Sequence, residues 1–294
     1  MREFAPREHT SPHEPLPPRE RVKRDISRFN IPFRPEEHPA LWTALAETGE
    51  HFEDALSMTR MIDALWPKLD FRGISREKLM VTMLLHDVGK SGPNESSPRL
   101  RTAVKALFSP PDKPFDPFRR ENAVTTPKSV QDFITETRLA HPNDISDALR
   151  EELGIDPTQK SILEFWRDHI DWTYDILMHH RSGIVDEDVA RIASSHHILE
   201  GRNPARIPVD QKQDERNPFA EKTYPLLVIL DKYQAFRDRG GADHTKAINA
   251  VRTIIERNKA CDPGTTDEYL RILGILEASE DVLTAILTTP REID

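Results

Sequence analysis

The sequence predicts an all-α fold in one domain. Three observations lead there. From about Pro39 onward, apolar residues recur at i, i+4 and i+7, the rhythm of one helix face. Helix punctuation separates these segments: Pro67 as a stop, Ser75 and Asp186 as N-caps, Gly89 as a C-terminal signal. Alternating runs of strand length and internal repeats are lacking.

The elements follow in order. Residues 1–40 contain PREHTSPHEPLPPRE and IPFRPEEHP. Proline at this density opposes helices, so a Pro-rich N-terminal arm is expected, ordered by packing from about Phe29. Residues 41–294 form the domain. His51, Ala55, Met58, Ile62 and Leu65 line one helix face, and Pro67 ends it. After Ser75 comes a helix whose face holds Leu79, Met83, His86 and Asp87, closed by Gly89. Residues 91–128 read as a Pro/Ser-rich insertion with a short helix near 99–107, and long loops of this kind often act as lids. Helices resume over 130–139, 144–153 and about 160–180. In the last, Ile162, Trp166, Thr173, Ile176, Leu177 and His180 form a stripe, and His179 falls on another face. Asp186 caps a helix aligning Val189, Ile192, Ala193 and His196, with His197 one step round. GRNPARIP breaks it. A helix over Tyr224–Arg237 turns Leu227, Val228, Leu230, Asp231 and Ala235 inward. Two more cover about 245–258 and 266–287.

Composition narrows the function. The 294 residues are 37% hydrophobic and 31% charged, with a net charge of −9. That balance excludes a general nucleic-acid or anionic-membrane surface, and leaves room for a small phosphorylated ligand in a local basic pocket. No apolar stretch approaches the ~20 residues of a membrane span, and the first residues lack the apolar core of a secretory leader. Cys261 is the one cysteine, so an intrachain disulfide is excluded and a cytoplasmic setting is expected.

Twelve histidines include two adjacent pairs and one His-Asp step. The inward polar set is His51, His86, Asp87, His180, His196, His197 and Asp231. Helical phase selects His180 over His179. Burying such a set without a cation is costly, whereas His nitrogen with Asp oxygen suits Zn, Fe, Mn or Ni. Seven ligands exceed one six-coordinate ion. Adjacent histidines sit ~100° apart on a helix and reach for different points. Two divalent ions sharing a bridging carboxylate fit, and Asp87 is the natural bridge.

The order H…HD…H…HH…D resembles that of the HD superfamily of metal-dependent phosphohydrolases. LLHDVGK (84–90) is similar to its HDxGK signature. MHHRSGI (178–184), IASSHHILEG (192–201), VILDKYQAF (228–236) and CDPGTTDEYL (261–270) are similar to segments of the HD-GYP branch, the cyclic di-GMP phosphodiesterases. The likeness runs over about 48–288, interrupted at about 91–160. It departs after the HH pair, where Ile198 and LEGRNPARIP stand in place of a Glu and a Gly-Tyr-Pro run.

The resemblance implies an HD-type helical bundle. His51, His86, Asp87 and Asp231 would hold one metal. Asp87, His180, His196 and His197 would hold the second. Iron is the first choice, with Mn, Zn or Ni as alternatives. A bridging hydroxide would cleave a phosphoester such as a cyclic (di)nucleotide. Lys90 would steady the hydroxide or a phosphate oxygen. Arg202, Arg206, Arg237 and Arg239 would bind phosphate, which guanidinium forks suit. Two other readings remain: a diiron oxygenase on the same ligand pattern, and a cyclic-dinucleotide-binding module without turnover. Self-association is left open.

Overall fold

The computed structural model describes residues 18–110, 128–204, 218–239, 241 and 243–288. Among these the chain is all-helical. The thirteen α-helices are α1 (Pro18–Arg28), α2 (Pro39–Glu47), α3 (Glu50–Leu65), α4 (Arg76–Leu85), α5 (Pro98–Phe108), α6 (Val130–Glu136), α7 (Pro142–Leu153), α8 (Ile162–His179), α9 (Glu187–Ala193), α10 (Pro218–Arg239), α11 (His244–Asn258), α12 (Thr266–Glu277) and α13 (Glu280–Thr288). No helix is long and apolar enough to cross a membrane.

The centre of the bundle is α10. Leu226 to Leu230 and Tyr233 are fully buried in it, a helix apolar nearly all round. It packs against α3, α9, α11 and α12. Beside it α4 is buried from Leu79 to Leu85 between α3 and α9, and starts where Ser75 accepts from the Lys78 amide at 3.1 Å. The far side is tied by Asp262. This fully buried carboxylate accepts from Tyr224 on α10 at 3.1 Å and Tyr269 on α12 at 2.6 Å.

A second, smaller core lies over α5 to α8. Leu100, Val104 and Leu107 of α5 pack with Val130, Phe133 and Ile134 of α6, Ala148 and Leu149 of α7, and Ile162 and Phe165 at the start of α8. Trp166 donates its indole N–H to the Leu107 carbonyl at 2.9 Å. Helix α8 therefore belongs to both cores, since Ile176 and Leu177 at its other end lie in the main one.

Three expectations need correction. The N-terminal arm is helical over Pro18–Arg28, with Val22 and Ile26 buried in the main core. Residues 19–31 are free of proline, and Pro18 sits at the helix start, where its missing N–H costs nothing. The last expected helix is two, parted at Ala278-Ser279, where the Ser279 hydroxyl bonds back to the Ile275 carbonyl and accepts from Lys68.

Gly89 is the third. Helix α4 ends at Leu85, and Gly89 lies in a 3-10 turn, Val88–Ser91. The glycine serves a close approach. A Cβ there would lie 2.0 Å from the His169 carbonyl and 2.6 Å from the Thr173 amide. The Gly89 amide donates to Thr173 Oγ1 at 3.0 Å, and that hydroxyl donates to the His86 carbonyl at 3.2 Å. Gly89→Ala must push the turn off the α8 backbone. It is expected to cost about 1–3 kcal/mol, the range for overpacking, read from urea unfolding.

Candidate metal centre

Two helix ends build the centre. His86 follows the last residue of α4, and His196 lies three residues beyond the end of α9. The last carbonyls of a helix lack intrahelical donors. Both histidines exploit this: His86 Nδ1–H donates to the Met83 carbonyl and His196 Nδ1–H to the Ala193 carbonyl, each at 2.8 Å. His169, inside α8, makes the same i−3 bond to the Trp166 carbonyl. The Nδ1 proton is thus committed in all three rings, and the Nε2 lone pair points inward.

The inward atoms converge on Asp87. His169 Nε2 is 3.1 Å from Asp87 Oδ1, and His196 Nε2 is 3.5 Å from it. His169 Nε2 and His196 Nε2 are 2.9 Å apart. On the other side, His86 Nε2 lies 3.4 Å from Asp87 Oδ2 and 3.8 Å from Asp231 Oδ1. His86, Asp87, His169 and His196 are each at most 4% exposed. The nitrogens of His169, His196 and His197 lie within 4.8 Å of one another.

These contacts bring acceptors against acceptors. Asp87 Oδ1 is buried and, among the described residues, has no hydrogen-bond donor. Buried acceptors facing one another cost free energy unless a proton or a metal stands between them. The charge balance points the same way: among the described residues, the lysines facing Asp87, Asp231 and Glu200 are Lys90 and Lys232, leaving one net negative charge over these five groups. Nitrogen and carboxylate donors so placed fit a transition-metal ion.

The environment sets the protonation states. Burial favours neutral Asp87, but His86 and Lys90 outweigh it and hold the carboxyl well below its usual range. Burial lowers His169, against the pull of Asp87. His197 is pushed down to about 3 by burial and by Lys232, against Glu200. Burial also opposes ionised Asp231, yet Lys232 and the neighbouring histidines hold it far below the carboxylate range.

Not every expected residue joins the cluster. His180 caps the end of α8 and donates Nε2–H to Asn94 Oδ1 at 3.0 Å. It stands eleven residues from His169, about 16 Å along the helix at ~1.5 Å per residue. His179 is exposed, 3.8 Å from Glu95. The histidine that α8 contributes is His169. Its signal was present, since 166, 169, 173 and 176 follow the helical period on the stripe that ends at His180.

His51 reaches the cluster through Lys90. Lys90 Nζ is 3.2 Å from His51 Nδ1 and 2.5 Å from Asp87 Oδ2. Helix α5 supplies a wall: Phe108, at its end, stands edge-on to both His51 and His169, with centroids 6.3 Å and 5.7 Å away. Arg202 pairs with Asp168 at 3.5 Å and Asp171 at 3.8 Å on α8. Arg237 is 2% exposed and donates to Tyr233 Oη and Thr284 Oγ1, so it is enclosed in the bundle. Arg206 and the Arg239 side chain lie outside the described residues.

His169→Ala is expected to lower metal affinity by at least about 100-fold, beyond the loss of an outer partner, whereas His180→Ala leaves it at the wild-type value. Metal analysis of the dialysed variants checks both. No family model, curated protein or solved structure matches this chain.

Proposed function

We propose that the chain is a metal-dependent phosphohydrolase of the HD type, acting on a small phosphoester through two divalent ions. One observation carries the reading: Asp87 turns one oxygen to His169 and His196 and the other to His86, so a single buried carboxylate faces two donor groups. Asp87, His169, His196 and His197 would hold one ion. Asp87, His86 and Asp231 would hold the other, with His51 joining when Lys90 releases it. Iron is favoured, then Mn, Zn or Ni. Bound ions supply Lewis acidity toward phosphoryl oxygens and bring the pKa of water down to about 7.

The chain's own groups do the rest. Asp87 keeps the two donor groups in register. Lys90 Nζ lies between Asp87 and His51, with its side chain 17% exposed at the rim. There it adds positive charge on the side from which a phosphate enters. Phe108 shields His51 and His169 from water on the insertion side. Arg202, at the start of the loop that departs from the HD-GYP pattern, is the first arginine after the HH pair. It would take a distal phosphate oxygen when released from Asp168 and Asp171.

The metal-loaded full chain is expected to hydrolyse bis(p-nitrophenyl) phosphate, and chelation is expected to stop it. Asp87→Ala should lower the rate by more than about 100-fold, beyond what an outer partner supplies. An unchanged rate in Asp87→Ala overturns the two-metal reading. Oxygen-dependent substrate loss without ester cleavage would instead select the oxygenase.

A further inference from the structure

Three of the clustered imidazoles give Nδ1–H to a backbone carbonyl; His197 does not. Its Nδ1 lies 2.9 Å from Glu200 Oε2, close but out of line for a hydrogen bond, and both atoms are buried. Glu200 closes the 3-10 turn Ile198–Glu200 that follows the HH pair, and its side chain is 13% exposed. Its other oxygen is 2.9 Å from Lys232 Nζ. The same ammonium is 2.9 Å from Asp231 Oδ2. Lys232 is 6% exposed. A continuous path therefore runs from His197 through Glu200 and Lys232 to Asp231.

Each link has a chemical consequence. A carboxylate on Nδ1 fixes the tautomer and makes the opposite nitrogen a stronger donor than a carbonyl does. An ammonium on Asp231 Oδ2 leaves only Oδ1 facing His86. Burying a lysine between two carboxylates is expensive unless all its partners are in place.

We propose that Glu200 and Lys232 are one positioning unit for the metal centre. Glu200 aligns and polarises His197, Lys232 restricts Asp231 to a single donor oxygen, and their ion pair ties the two ends of the centre together. The proposal rests on the metal-centre reading above. A merely structural ion pair would have no effect on His197 as a ligand.

The test titrates the metal-free full chain with cobalt(II) alone, read by calorimetry and visible absorption, with ¹⁵N spectra of the imidazoles before metal is added. Glu200→Gln is expected to weaken cobalt binding by about 10–100-fold, alter the absorption bands and lose the single His197 tautomer. Glu200→Gln leaves Lys232 paired with Asp231, and the double variant Glu200→Gln/Lys232→Met removes the whole link, so the two together separate loss of the Glu200 contact from loss of the ion pair. The double variant is expected to show the same weakened binding. Wild-type affinity and bands in the double variant, or in a folded Glu200→Gln, overturn the proposal and leave the metal reading standing. A wild-type chain that takes up no cobalt overturns the metal reading, and the proposal falls with it.

Discussion

The centre depends on one hydrogen bond made three times, an imidazole Nδ1–H given to the carbonyl three residues earlier. At His86 and His196 it satisfies a carbonyl that the end of α4 or α9 leaves without a partner. At His169 it uses the spare lone pair of a carbonyl within α8. The bond spends the only proton of a neutral ring and aims the other nitrogen at Asp87. The backbone of three helices thus dictates a pocket of acceptors. Such a pocket is unfavourable by itself and favourable around a cation.

That geometry needs α4, α8 and α9 in fixed register. Helix α8 gains its register twice. The smaller core holds its first turns through Ile162 and Phe165, and the main core holds its last through Ile176 and Leu177. His169 falls at the changeover. The Gly89–Thr173 hydrogen bond then fastens the His-Asp turn to the same stretch of helix. Helices α5 to α7 contribute Phe108 to the wall as well as support for α8.

Much of this was legible in the sequence because it is local. Helical periodicity and caps found most elements, including the short piece at 99–107. The His-Asp step and the HH pair stood out as polar residues ending apolar faces. His169 was less visible. A single histidine on a buried stripe has no local mark, and the adjacent pair His179-His180 drew the reading to the helix end instead. Whether a helical histidine reaches the cluster depends on where along α8 the turn of Gly89 docks, which is tertiary information. The role of Gly89 was hidden likewise, since a glycine after a helix reads as a left-handed cap. Lys232 follows Asp231 directly, and nothing local in the sequence marks it as buried. Only the packing of α9 and α10 brings it to Glu200.

The close contact at Gly89 has a consequence for motion. With a backbone carbonyl where a side chain would begin, α8 has no room to slide or to roll against the His-Asp turn. Local opening of α5 to α7 cannot be absorbed there and must be shared with α4 and α9. The amides of Gly89 and of α8 around Thr173 should then exchange with solvent in one step with the bundle rather than with the surface loops. The centre would be held by the most cooperative part of the chain, and substrate access would fall to the side chains at its rim.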